Sequence, residues 1–286
     1  MASSTRENHT GGRRPLSSIR LGMQYIFLAV TFLIGLRHIL PGESSRGGAF
    51  DAFCPFGGVE TLWAYVTTGQ TLKTTNLLSI AMLISVLGLS LLVGRAFCGW
   101  MCPIGTLQDM LTRWTRRLSG GKKNPRPGIK SKARYPIQVP QNIDRWLRYL
   151  KYLVLAGVLI ASTMMVYPPL WNFCPARALF SFQLTTPLLW SVLITFVITS
   201  MLVQRFWCKY LCPLGALLAV SNKIAPLRII IDQDRCTSCH RCDADCPVDI
   251  APIPENMRSL ECVQCLECIE TCAVSDTLDL KLGGSG

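Results

Sequence analysis

The sequence predicts an α-helical membrane protein, a four-helix transmembrane bundle with an internal parallel repeat, followed by a small cysteine-rich α+β domain. Three observations carry that expectation. Long apolar runs recur along a chain of 286 residues that is 50% hydrophobic, with a mean hydropathy of +0.32. Two stretches repeat each other motif for motif, and eight of the 14 cysteines fall in two evenly pitched runs near the C-terminus.

The apolar runs are Leu21–Leu40, Leu77–Val93, Leu150–Val166 and Thr186–Val203. Each has the length, or nearly the length, needed to cross a hydrocarbon core as a helix. The second and fourth hold no charged residue at all, whereas core helices of soluble proteins keep a polar stripe. The first run follows Arg13, Arg14 and Arg20 as a signal sequence would, but it is too long and no small-x-small cleavage site follows it. It is therefore expected to stay as a membrane helix.

The net charge of +12 is read from its distribution. Twelve Lys and Arg lie between Arg113 and Lys151 and four precede Leu21, while Pro41 to Asn76 has only Arg46 and Lys73, and Tyr167 to Thr186 only Arg177. This asymmetry follows the positive-inside rule and places both termini and the middle loop in the cytoplasm of a multi-pass protein in the cytoplasmic (inner) membrane. The basic balance thus reports topology and contact with membrane lipid, and excludes a nucleic-acid partner.

The expected organisation is a polar cytoplasmic tail over residues 1–20, a first membrane repeat over 21–112, a basic linker over 113–148, a second membrane repeat over 149–222 and a cysteine-rich domain over 223–286. The repeat is explicit. Phe173-Cys174-Pro175 answers Phe53-Cys54-Pro55, and Arg205 to Leu217 (RFWCKYLCPLGAL) answers Arg95 to Leu107 (RAFCGWMCPIGTL). Both copies run in the same orientation, which implies a pseudo-two-fold axis along the membrane normal. In the last domain Leu227 to Ile231 reads as a strand and Leu278 to Leu282 as its return.

Cys236, Cys239, Cys242 and Cys246-Pro247 have the spacing CxxCxxCxxxCP, and Cys262, Cys265, Cys268 and Cys272 repeat it without the proline. Three cysteines at this pitch wrap three corners of one [4Fe-4S] cubane and the fourth reaches the neighbouring one. The expected sets are Cys236, Cys239, Cys242 and Cys272 for one cluster, and Cys262, Cys265, Cys268 and Cys246 for the other. The domain is accordingly a 2[4Fe-4S] ferredoxin-like α+β fold. Zinc is the competing ligand, but it ordinarily uses two separated CxxC pairs and often histidine.

Cys98, Cys102, Cys208 and Cys212 form two CxxxC pairs just inside the inner membrane surface, each placing two thiols one helical turn apart. They are candidates for an additional Fe-S or metal centre on the two-fold axis, with small packing residues as the bland alternative. Cys54 and Cys174 are placed on the outer face, about 30 Å from those pairs, unless their loops enter the membrane. They are read as an outer-face redox pair, with a disulfide, a second centre or packing as alternatives. His38, Asp51 and Glu60 are the ionisable groups near the outer surface that could take protons from a quinol, against the plainer reading of solvated interfacial residues. Arg95 and Arg205 are expected to anchor inner helix ends. No catalytic residue is assigned.

Two ferredoxin runs after four membrane helices, with paired CxxxCP turns at Cys98 to Pro103 and Cys208 to Pro213, resemble the NapH-type membrane ferredoxin family, to which NosR and MauN are related. The resemblance covers roughly residues 20 to 280. It implies an electron-transfer component of a quinol-dependent oxidoreductase, with quinone or quinol and other redox subunits as partners. The sequence departs from NosR in lacking the flavin-binding domain expected there.

Three functions compete at this stage. The chain relays electrons between the quinone pool and a redox partner through two clusters. Alternatively, reduced cytoplasmic ferredoxin or flavodoxin feeds the clusters and electrons cross to an outer-face acceptor. In a third, non-redox reading the clusters are structural parts of a metal-sensing or assembly protein.

Overall fold

The structure is a computed structural model and describes residues 16–37, 55–69, 77–120, 137, 139–164, 174–180, 186–250, 259–274 and 277–282. Cys54, His38, Asp51 and the part of the basic linker at residues 121–136 and 138 lie outside the described residues.

The described chain is mostly helical. In order it forms α1 (Leu16–Arg37), α2 (Pro55–Thr68), α3 (Leu77–Val93), α4 (Ala96–Trp100), α5 (Pro103–Leu118), α6 (Gln141–Thr163), α7 (Pro175–Phe180), α8 (Pro187–Leu202), α9 (Phe206–Tyr210) and α10 (Pro213–Ile224). The last part adds β1 (Leu227–Ile231), α11 (Arg241–Ala244), α12 (Glu267–Thr271) and β2 (Leu278–Leu282).

Two of these helices, α1 and α6, are long and apolar enough to cross a membrane, and α3 and α8 are shorter apolar helices. The apolar stretch of α3 coincides with the second predicted run, and α8 lies one residue inside each end of the fourth. Helix α6 begins at Gln141, well before the predicted Leu150, because Asp144, Arg148 and Lys151 on its first turns are held by protein partners and need no water. Helix α1 begins at Leu16 for the same reason: Arg20 is buried in an ion pair with Glu267 at 2.9 Å.

The four apolar helices make their main contacts through the shorter ones. Helix α1 packs on α4, α5 and α7, while α6 packs on α9, α10 and α2. Helix α3 lies against α2, α4 and α10, and α8 against α7, α9 and α5. Two core clusters result: one joins Val86 and Cys98 to Leu218, Val248 and Val263, the other joins Ile104 to Phe180, Phe196 and Cys208.

Proline sets the start of both CxxxCP helices. Pro103 and Pro213 occupy the first helical turns of α5 and α10, where a missing N–H costs nothing. The cysteine before each is forced into extended backbone, with φ −65° and ψ 116° at Cys102 and φ −72° and ψ 111° at Cys212. The backbone repeats as well. The Cys102 amide donates to the Phe97 carbonyl at 3.0 Å, and that of Cys212 to Trp207 at 2.9 Å.

Strands β1 and β2 pair antiparallel, Leu227 opposite Leu282 and Ile231 opposite Leu278. Both occupy the residues predicted for them.

Candidate functional site

The two ferredoxin-type runs fold into matching loops. In the first, Ser238 and His240 flank Cys239 with φ of 49° and 54°; in the second, Gln264 and Leu266 flank Cys265 with φ of 46° and 60°. Left-handed backbone at non-glycine residues costs about 1–3 kcal/mol each and persists where surrounding structure enforces a function. Here it curls each CxxCxxC segment into a cradle around a cavity.

Each cradle opens on a cavity. One is lined by Cys246, Cys262, Cys265 and Cys268, the other by Cys236, Cys239, Cys242 and Cys272. Three cysteines of each set come from one run and the fourth from the other. The chemistry of these sets, four thiols around an apolar wall of Ile229 and Val248 or of Ile231 and Leu278, fits a [4Fe-4S] cluster. Burial pushes the Cys246 thiol up to about 12 and those of Cys242 and Cys262 to about 11. Binding of iron to thiols raised in this way releases their protons.

The second run is built onto the membrane part. Arg20 donates to the Cys265 carbonyl at 2.9 Å, and the Trp100 indole N–H donates to that of Gln264 at 2.9 Å. Asn222 donates to the carbonyls of Leu260 at 3.0 Å and Cys262 at 2.7 Å, while its own Oδ1 accepts from the Arg95 amide at 2.8 Å. Arg95 also pairs with Glu261 at 3.0 Å, and buried Lys151 pairs with the same carboxylate. Val263 and Cys98 belong to one core cluster. The C-terminal domain is thus an integral part of one packed body.

Arg95 and Arg205 are buried, 2% and 0% exposed, and so do not anchor helix ends in the solvent boundary. Arg205 grips Asp109 through two nitrogens, at 2.9 and 2.6 Å, and donates to the Cys98 carbonyl at 3.3 Å. Burial alone would raise the Asp109 carboxyl, but the Arg205 guanidinium outweighs it and holds Asp109 below the usual carboxylate range. Gln24 of α1 closes the group with a bond to the Gly99 carbonyl at 2.9 Å. Sequence reasoning missed this network. Its one available signal was that Asp109 is the sole acidic residue between Glu60 and Asp144.

The four CxxxCP cysteines meet at one chamber. Cys98, Cys102, Cys208 and Cys212 all line a cavity of about 590 Å³, and so do Cys174 and Glu60. The structure therefore brings Cys174 to the same chamber as the inner pairs. Two features of the fold explain this: Phe180, at the end of the helix that starts at Pro175, sits in the core with Ile104 and Cys208, and α2 reaches α10. Glu60 is buried, at 4% exposure, rather than solvated at an interface.

Comparison with known proteins agrees with this chemistry. The profile of a 4Fe-4S binding domain family matches residues 75–122 and again 185–230, the segments holding the two CxxxCP turns. A 4Fe-4S dicluster domain matches residues 228–273. The chain is 31% identical to the uncharacterized protein MJ0750 of Methanocaldococcus jannaschii over 77% of its own length and 82% of that protein. It is 28% identical to YccM of Escherichia coli, named for electron transport, over 96% of its own length and 76% of the relative. The ferredoxin-type protein NapH of the same organism is 26% identical over 82% and 78%. No solved structure matches.

Proposed function

The chain belongs to the NapH-type family of ferredoxin-like 4Fe-4S electron-transport proteins, and from that premise we propose that it relays electrons between the membrane quinone pool and a redox partner protein through two [4Fe-4S] clusters. Cys236, Cys239, Cys242 and Cys272 hold one cluster in this reading; Cys262, Cys265, Cys268 and Cys246 hold the other. The clusters would supply one-electron transfer at two neighbouring positions.

The observation that carries the proposal is the seating of the Cys262–Cys268 loop on the Cys98–Cys102 turn, through Trp100 to Gln264, and on α1, through Arg20 to Cys265. The chain's own residues fix that distance. Arg95, Asn222 and Lys151 lock the loop to the membrane helices, and the apolar contact of Val263 with the Cys98 cluster excludes water between them. The Cys236–Cys242 loop exposes Thr237, Ser238, His240 and Arg241, which leaves that cradle accessible to a partner protein.

The same proposal covers the membrane part. Residues 21–112 and 149–222 are two repeats of a multi-pass, four-span body related by a pseudo-two-fold axis, with both termini, the 113–148 linker and the 223–286 domain on the cytoplasmic side. The paired contacts support it: α1 on α5 answers α6 on α10, and α3 on α10 answers α8 on α5. Cys98, Cys102, Cys208 and Cys212 are proposed to hold a further Fe-S or metal centre.

Two measurements on the purified protein test this. Rapid change in the EPR signal of the clusters on adding quinol is expected, and reduction by ferredoxin alone would sink the quinol assignment. Iron and acid-labile sulfide near eight per chain would leave the membrane cysteines empty, and a clear excess establishes the further centre.

A further inference from the structure

We infer that the 590 Å³ chamber is the quinone site itself, with the ring between Glu60 and Arg95, beside the CxxxCP cysteines, and the isoprenoid tail leaving for the bilayer between α1 and α3. This inference rests on the quinone-linked reading above and adds the place, the entry route and the polar residues.

The volume is within the range of small-molecule sites, which are mostly apolar with a few convergent polar groups. The wall of this chamber has that character. Phe27, Ile34, Phe56, Met82 and Phe97 are apolar contributors, while Glu60, Arg95 and Arg177 are the ionisable groups other than the cysteines. An acyl chain filling a void would need none of these charges, and ionisable groups at membrane depth are expensive to keep without a function. A quinone ring needs polar partners for its two oxygens. A carboxylate accepts from a hydroquinone hydroxyl and a guanidinium donates to a quinone carbonyl.

Arg95 is suited to the donor role. It is 2% exposed, lines the chamber, and its Nε has no hydrogen-bond partner among the described residues, although its Nη1 is engaged by Leu260 and Glu261. That unpartnered nitrogen is itself buried, so what Arg95 offers an occupant at the chamber wall is its guanidinium charge.

The entry route follows from the packing. Helix α1 rests on α4, α5 and α7, and α3 rests on α2, α4 and α10. Between them the chamber wall includes Val30 on α1 and Leu89 on α3, which are 47% and 37% exposed, together with exposed Ser85 one turn from Leu89. These residues are exposed and also line the chamber, as the rim of a lateral portal does.

The test is binding of radiolabelled ubiquinone-2 and of a short-chain menaquinone to the full-length, cluster-loaded protein in quinone-free phosphatidylcholine nanodiscs. Val30→Trp and Leu89→Trp are expected to weaken binding at least tenfold and Glu60→Gln severalfold, with iron and sulfide content unchanged. Both rim positions are exposed, so an added indole need not fit a packed core. If Val30→Trp loses iron, Leu89→Trp decides. Wild-type affinity in iron-replete rim variants overturns the site while leaving the quinone reading standing. Failure of the unsubstituted protein to bind either quinone, with clusters that quinol does not reduce, overturns that reading and the site with it.

Discussion

Gly99 lies so close beneath Val263 that a Cβ built on it would be 2.4 Å from the Val263 carbonyl oxygen. The glycine is the second residue of the first CxxxC turn, and Val263 follows the first cysteine of the second ferredoxin run. Their approach is a close backbone contact between the membrane helices and the cluster domain. The second CxxxC turn has Lys209 at the matching place, and its ammonium pairs with Asp249 at 2.8 Å. At this position the two CxxxC turns therefore meet the C-terminal domain differently, one by close backbone approach and one by charge.

Gly99→Val is expected to push the Val263 carbonyl away and loosen the docked loop. Overpacking of this kind costs about 1–3 kcal/mol, too little to unfold the whole chain. The variant should keep its iron, become more sensitive to proteolysis between Ile224 and Leu227, and show quinol-driven cluster reduction at least tenfold slower. An unchanged reduction rate would show that this contact does not set the relay.

The cysteine runs were legible because their information is local: a pitch of three residues and a left-handed twist at fixed places suffice to form the cradle. Strands Leu227–Ile231 and Leu278–Leu282 were legible for the same reason, the first through its run of isoleucines and the second through alternation. The docking was not. Arg20 reaches a residue 245 positions away and Trp100 one 164 away, and no periodicity encodes such pairs. The placement of Cys174 at the inner chamber was hidden likewise, since topology from charge orders the loops but does not say how deep each one folds back.

The proposed crossed ligation separates two cysteines that are otherwise alike. Cys246 belongs in sequence to the first run but lines the cavity of the second, and Cys272 does the reverse. Cys246→Ser is expected to perturb the EPR signal of the cluster on Cys262, Cys265 and Cys268, as Cys262→Ser does. Cys272→Ser should match Cys236→Ser instead. Pairing by sequence run, with Cys246→Ser resembling Cys236→Ser, would refute the crossed arrangement.

The Asp109–Arg205 pair makes a prediction in pH. The folded-state carboxyl lies below its unfolded value of about 3.9. A depressed acid contributes stability at pH above the unfolded value and loses it as pH falls through the folded one. Asp109→Asn leaves the fully buried Arg205 without its counter-charge, which costs about 3–5 kcal/mol. Thermal unfolding in detergent should therefore show a large deficit for Asp109→Asn at pH 7 that narrows toward pH 3. A deficit equal at both values would assign the loss to packing.

Glu261 joins the halves by accepting from two cations, Arg95 and Lys151, which are 2% and 0% exposed at their side chains. Removing the carboxylate alone leaves two buried positive charges facing each other, and Glu261→Gln is expected to cost about 3–5 kcal/mol. Lys151→Met alone should cost less, because Arg95 still neutralises Glu261 and methionine fills the space of the lysine stem. If the cost of Glu261→Gln is chiefly the stranded ammonium, the double variant Glu261→Gln, Lys151→Met should be more stable than Glu261→Gln by about 1–2 kcal/mol, a coupling that a double-mutant cycle on thermal unfolding measures. Strict additivity would show that the carboxylate acts on the protein through Arg95 alone, and that Lys151 of α6 takes no part in holding the cluster domain to the membrane.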